Sequence, residues 1–217
     1  SIFSYTGSGT AGDTIKHGLD KAPEILLFKN RSTDVTWIVG SKPAGFTNIQ
    51  FLQTTAAATD DSNAFNDVDP GSSVFTLGGN LGTGTNETSS NFVCYAFASI
   101  QGYSKVDSYV GNGNNDGTFV YTGFKPAFVM IKKFSAAGTS WVIFDNKRNT
   151  FNERSKILQP NDSGGEETSA NRIDFNSNGF KLRGTWTVIN ASGNTYLYMA
   201  FAESPFVNSN GIPNNGE

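Results

Sequence analysis

The order in which landmarks recur constrains this chain more than any single motif. Tyr95–Ser99 reads YAFAS, and Met199–Glu203 reads MAFAE, 104 positions later. Nearly the same spacing relates Tyr5 to Tyr109, Gly7 to Gly111, Gly9 to Gly113, Lys29 to Lys132 and Trp37 to Trp141. Gly18 pairs with Gly123 and Pro23 with Pro126 in the same sequence. A repeat of this kind sets the whole architecture of a chain. It predicts two tandem copies of one unit, residues 1–102 and 103–206, related by internal duplication. An Asn/Gly/Pro-rich tail follows over 207–217.

Each copy reads as strand. Ile25-Leu26-Leu27-Phe28 and Phe128-Val129-Met130-Ile131 are short apolar runs preceded by a proline, which suits the start of a strand. In Tyr196–Ala202, side chains alternate between faces with period two. Tyr196, Tyr198, Ala200 and Ala202 share one face, and Leu197, Met199 and Phe201 the other. Neither face carries a charge, so the segment predicts a central strand buried on both sides. Twenty-four glycines and long Asn/Ser/Thr tracts mark many turns. Eighteen Phe, seven Tyr and three Trp supply a core although only 37% of residues are apolar. The expected fold is all-β: two tandem antiparallel β-sandwich, jelly-roll-like units. Two polar stretches differ between the copies, around Thr54–Ser73 and Asn161–Asn171. They read as the variable loops of a shared scaffold.

The formal net charge is −3 and no Lys/Arg-rich run occurs, so no nucleic-acid partner is expected. No apolar run approaches the length of a membrane span, and no signal-peptide pattern opens the sequence. Cys94 is the single cysteine and reads as a buried strand residue. His17 is the single histidine, and it stands where the second copy has Thr122. Nucleophilic hydrolysis needs a base beside its nucleophile, and nothing places His17 near Cys94. Asp60, Asp61, Asp67 and Asp69 cluster in one loop, Glu166 and Glu167 in the corresponding one. They read as solvated charge; a calcium loop is the main alternative, and a carboxylate pair for glycoside hydrolysis a further one. Asp61-Ser62-Asn63 opens like a calcium loop but lacks its glycine and closing glutamate. GNGNNDG (Gly111–Gly117) and GGNLGTG (Gly78–Gly84) lack the Lys-Ser/Thr ending of a phosphate loop and read as turns. No metal and no cofactor is expected. Trp37 and Trp141 read as core. Trp186 has no tryptophan counterpart in the first copy. It is the candidate ligand-binding residue, a ring for stacking on a sugar, with packing inside the scaffold as the alternative.

The phrases SYVGNGNNDGTFVYTGFKPAFVMIKK, SWVIFDNKRNTFNE, DFNSNGFKLRG and NASGNTYLYMAFAESPF resemble a repeat domain of tailed-bacteriophage virion proteins. HGLDKAPEILLFKNRS and NFVCYAFASIQGYSKV are similar to the unit that precedes it in such proteins. The resemblance implies a non-enzymatic structural protein of the virion surface, first of all a tail-fibre or host-contact component. It implies other virion proteins and further copies of the chain as partners, trimers among the expected assemblies, and a host-surface glycan as a candidate ligand. A capsid decoration or assembly protein, and a carbohydrate-binding module of a secreted protein, are the alternatives. The resemblance carries no catalytic signature, and transfer from fold to task is analogy.

Overall fold

A computed structural model describes residues 1–80 and 84–205. The expected tail over 207–217, and Leu81–Thr83 of the GGNLGTG stretch, lie outside the described residues. Among the described residues the regular secondary structure is almost all antiparallel β-strand, and the chain divides into two compact units, Ser1–Ala98 and Ser99–Glu217. The division falls four residues before the boundary read from the sequence. Its cause is local: Ile100 bridges Ser104, and the Val106 N–H donates to Ser99 Oγ at 3.0 Å, which ties this turn to the strand after it.

The first unit contains β1 (Ile2–Thr6), β2 (Thr14–Lys16), β3 (Ile25–Asn30), β4 (Ile38–Ser41), β5 (Asn48–Phe51) and β6 (Thr59–Asp60). A one-turn helix α1 (Ser62–Phe65) follows, then β7 (Val74–Thr76) and β8 (Asn91–Phe97). One sheet runs β1-β8-β3-β4-β5-β6, and β2 pairs with β7. Leu26, Phe28, Ile38, Cys94 and Ala96 of the large sheet meet Phe75 and Leu77 and the helix residues Ala64 and Phe65. Helix α1 is thus a piece of core inside the stretch expected to be a polar loop. Asp61 starts it by accepting from the Asn63 N–H at 2.9 Å, satisfying a donor that a helix start leaves open.

The second unit contains β9 (Ser104–Val110), β10 (Asp116–Tyr121), β11 (Pro126–Lys133), β12 (Val142–Asp145), β13 (Arg154–Ile157), β14 (Glu167–Asn176) and β15 (Gly179–Arg183). A one-turn helix α2 (Thr187–Asn190) leads into β16 (Thr195–Ala202). Sheet β12-β11-β16-β9 faces sheet β10-β15-β14-β13 in a sandwich. Val129, Ile131, Tyr196, Tyr198 and Ala200 come from one sheet, and Val120, Ile173, Phe175, Phe180 and Leu182 from the other. Strand β16 is central, and the two residues of its second face that follow Tyr196 and Tyr198, Leu197 and Met199, are also buried. The stretch Asn161–Asn171 is a loop only in its first half, since β14 begins at Glu167.

Strand pairing repeats between the units. Tyr5 faces Phe92 and Tyr109 faces Tyr196, 104 residues on in both strands. Ile15 faces Phe75 and Val120 faces Phe180, 105 residues on. The rings of Tyr5 and Phe92 stack at 5.0 Å, and those of Tyr109 and Tyr196 at 5.1 Å. One core position is filled by two routes. In the first unit the Phe65 ring, carried by α1, lies against Gly40, where a Cβ would come within 2.3 Å of it. In the second unit the position equivalent to Gly40 is Phe144, which fills the core from its own strand.

Lys29 and Lys132 also occupy equivalent places. Each donates its ammonium to a carbonyl of the connection that follows its strand, Lys29 to Val35 and Lys132 to Thr139, the latter at 2.7 Å. Lys132 is fully buried. Burial, helped by the charge of Lys133, pushes its pKa from 10.5 down to about 8. Between those values the unfolded chain holds more protons than the folded one, so folding stability from this group rises with pH. Below pH 8 the penalty is fully present, on the order of 3 kcal/mol. Denaturation midpoints of the wild type and Lys132→Met, compared from pH 7 to pH 10.5, should show the wild type gaining on the variant as pH rises. A difference independent of pH would exclude the linkage.

Candidate functional site

The outer face of the second unit's β10-β15-β14 sheet gathers side chains that the core does not use. Val120, Phe180, Leu182 and Ile173 point inward. With period two, Phe119, Tyr121, Lys181, Arg183 and Asp174 therefore point outward. Phe119 lies opposite Lys181, and Tyr121 opposite Gly179. Their side chains are solvated: Phe119 is 44% exposed and Tyr121 66%.

The charged residues on this face are paired. Arg183 donates from Nε at 2.7 Å and from Nη2 at 2.5 Å to one oxygen of Asp174. Lys181 Nζ lies 2.9 Å from Asp116, and Arg183 Nη1 lies 3.9 Å from the same carboxylate. The hydrogen bond and charge of Lys181, with Arg183 behind it, hold the Asp116 carboxyl below its usual range. Asp174 is buried at the floor of an open cleft of about 610 Å³, which Asn115, Asn152, Glu153, Arg183 and Gly184 complete. The Asn152 amide is fixed by a reciprocal pair of hydrogen bonds with the Phe175 backbone, both 2.9 Å. Beyond Tyr121 lies a second hollow of about 340 Å³, bordered by Ile100, Gln101, Lys105 and Gly123.

A buried asparagine anchors the loops behind this face. Asn190 accepts from the Asn112 N–H at 3.0 Å and donates to the Asn114 carbonyl at 3.0 Å and the Gly184 carbonyl at 2.9 Å. The first unit holds Asn86 in the same role. It accepts from Ser8 and Gly9 and donates to Thr10 and Gly78. Both residues look like ordinary turn asparagines in sequence; their shared 104-residue offset was the available signal.

Trp186 stands apart from the outward row. It is half-buried against the core of the second unit, and the Arg172 guanidinium lies 4.3 Å from its ring centroid. That cation–π contact occupies a face a sugar would need. His17 is buried. Its Nε2 reaches the Gly71 carbonyl at 3.1 Å, and its Nδ1 accepts from the Leu19 N–H at 3.2 Å. Its counterpart Thr122 accepts from the Phe124 N–H in the same local pattern. Cys94 is buried between β1 and β3, and burial raises its thiol pKa far above the ordinary value. Asp61 is spent on α1. Glu166 pairs with Lys156 at 2.9 Å and with Arg148 at 3.6 Å, and Glu167 accepts from Gln159. Asp60 is exposed on β6, Asp67 sits in a left-handed turn conformation, and Asp69 borders a pocket with Lys21 and Lys42. Among the described residues, no group of three or more His, Cys, Asp or Glu is placed to hold a metal ion. No helix among them is long and apolar enough to cross a membrane.

Residues 1–205 match the domain of unknown function DUF7483, a single match that runs through both units. The chain belongs to the DUF7483 family. No curated protein and no solved structure matches it. Within this DUF7483 chain, Phe119 and Tyr121 stand where the first unit has Thr14 and Lys16, as the Val120–Phe180 and Ile15–Phe75 pairs establish. Sequence reasoning passed over them, since a short apolar run such as TFVY does not show which of its residues face outward. The comparison of GDTIKHG with NDGTFVYTG carries the signal, since aromatic rings replace polar residues at two outward positions.

Proposed function

We propose that this DUF7483 chain is a non-enzymatic structural and recognition module of a tailed-phage virion, placed in a tail fibre or another host-contact component. The observation that carries the reading is the outward row of the second unit. Phe119 and Tyr121 project into solvent beside paired charges, on a sandwich whose core does not need them. Exposed aromatics grouped on one face are a mark of contact surfaces. The resemblance of SYVGNGNNDGTFVYTGFKPAFVMIKK and its companion phrases to virion repeat domains supplies the setting. His17 and Cys94, the residues a nucleophilic mechanism would recruit first, are both held in buried structural contacts.

The same reading takes the two units as descendants of one ancestor. Three features support it: equal pairing registers, equal ring stacks, and an asparagine anchor at the same place in each. After duplication, the scaffold of such a pair is held by packing while outward positions are free to specialise.

Gold-labelled antibody against the chain, imaged on intact particles, tests the assignment. Label is expected on the tail or its fibres. Label confined to the capsid lattice would replace host contact with a decoration role.

A further inference from the structure

The geometry points to the outer face of β10-β15-β14, from the Asp174–Arg183 cleft to Tyr121, as a binding site for a neutral oligosaccharide chain. This rests on the recognition reading above and names its ligand class.

Charge comes first. Lys181 and Arg183 are balanced by Asp116 and Asp174, and Glu153 at the cleft rim adds a negative charge. A polyanion such as nucleic acid or an acidic polysaccharide would bring its charges against these carboxylates without a net positive field to draw it. A simple cation would meet Arg183 and Lys181. A hydroxyl both donates and accepts, so it is best served where fixed acceptors and donors lie side by side. Asp174 and Arg183 provide that arrangement, each holding the other's orientation, and Asn115 adds an exposed amide.

Shape comes second. The C–H face of a sugar ring packs on an aromatic ring, and Tyr and Phe offer that surface at low entropic cost. Phe119 is steadied by Gly179, where a Cβ would lie only 3.1 Å from its Cζ. From Gly179, opposite Tyr121, to Arg183 is four strand residues, about 13 Å. That length exceeds one sugar ring and calls for a chain of several. Tyr121 also lines the second hollow, of about 340 Å³. The first unit, with Thr14 and Lys16 in place of the two rings, lacks the platform.

The test is an array of neutral and acidic bacterial-surface oligosaccharides probed with the full chain, followed by calorimetric titration with the neutral oligosaccharide bound best. Binding to neutral members is expected, with affinity at least tenfold weaker in Tyr121→Ala and Arg183→Ala and within twofold of wild type in Trp186→Phe. Tyr121→Ala alone decides if Arg183→Ala fails to fold, because the Tyr121 side chain is largely solvated. The inference is overturned by an empty array, by binding to acidic members only, or by binding that Tyr121→Ala leaves intact. An empty array with the chain located on the tail would overturn this inference and leave the virion assignment standing. A capsid location would overturn the host-contact assignment, and not the virion one, whatever the array reads.

Discussion

Asn190→Ala is expected to lower the stability of the second unit by about 3 kcal/mol, because each buried polar group left without its partner costs about 1–3 kcal/mol. The side chain is fully buried and serves one backbone donor and two backbone acceptors. Alanine leaves the Gly184 carbonyl without its partner, and releases the Asn112–Asn114 turn toward water. The effect is less than the sum of three bonds because Asn112 and Asn114 are exposed and water can reach them. For a domain of this size the melting temperature should fall by roughly 10–15 °C. Asn86→Ala should destabilise the first unit similarly, since Asn86 is equally buried and bridges Ser8, Gly9, Thr10 and Gly78. Calorimetry of the two single variants would read this. A loss under 1 kcal/mol in both would show that solvent replaces the amide, and that the loops are held by other contacts.

The contrast between what was legible in sequence and what was not follows from the length and chemistry of each signal. Strand β16 was legible because its seven apolar residues leave no polar face, and only a central strand can use them. Cys94 was legible as a buried residue because it lies between Val93 and Tyr95 in an apolar strand run. The first half of β14 was not. Glu167 and Thr168 pair with Ile157 and Lys156, and this polar stretch carries no apolar period to mark it as a strand. Helix α1 is four residues long, too short to show a helical period, and its only advance notice was the capping aspartate.

The candidate site was harder still. Its polar members are spread over β10, β14 and β15, and only antiparallel register brings Asp174, Arg183 and Asp116 together. Sequence distance hides such a group. Trp186 drew attention as the residue without a counterpart, yet the residues that distinguish the second unit's surface are Phe119 and Tyr121, whose counterparts exist and are polar. In a chain with repeated registers, changed chemistry at an aligned outward position is a signal separate from an unmatched aromatic.

Gly111→Ala is expected to be among the most damaging single methyl additions in the second unit. A Cβ there would come within 2.4 Å of the Ala191 carbonyl oxygen, a backbone atom that no rotamer change can move. The two segments cannot drift apart freely. The Gly111 N–H donates to the Asn194 carbonyl at 2.9 Å, and the Gly193 N–H donates to the Gly111 carbonyl at 3.0 Å. Relief of the clash must stretch both bonds and disturb the neighbouring Asn190 anchor. The expected cost is about 3–5 kcal/mol, at the upper end of what overpacking produces. Gly7→Ala meets the Glu87 carbonyl at 2.2 Å and should cost the first unit as much. Gly12 provides the control for conformation. It has a φ of 91°, and a methyl group added there would meet nothing within 4 Å, so alanine faces backbone strain alone, about 1–2 kcal/mol. Chemical denaturation of the three variants should rank Gly111 and Gly7 together, well above Gly12. A larger loss at Gly12 would mean that turn conformation, rather than the close approach of two backbones, sets the stability of these loops. The same close approach fixes where β10 leaves its turn, so a Gly111 variant that does fold should also bind oligosaccharide more weakly, through displacement of Phe119 and Tyr121.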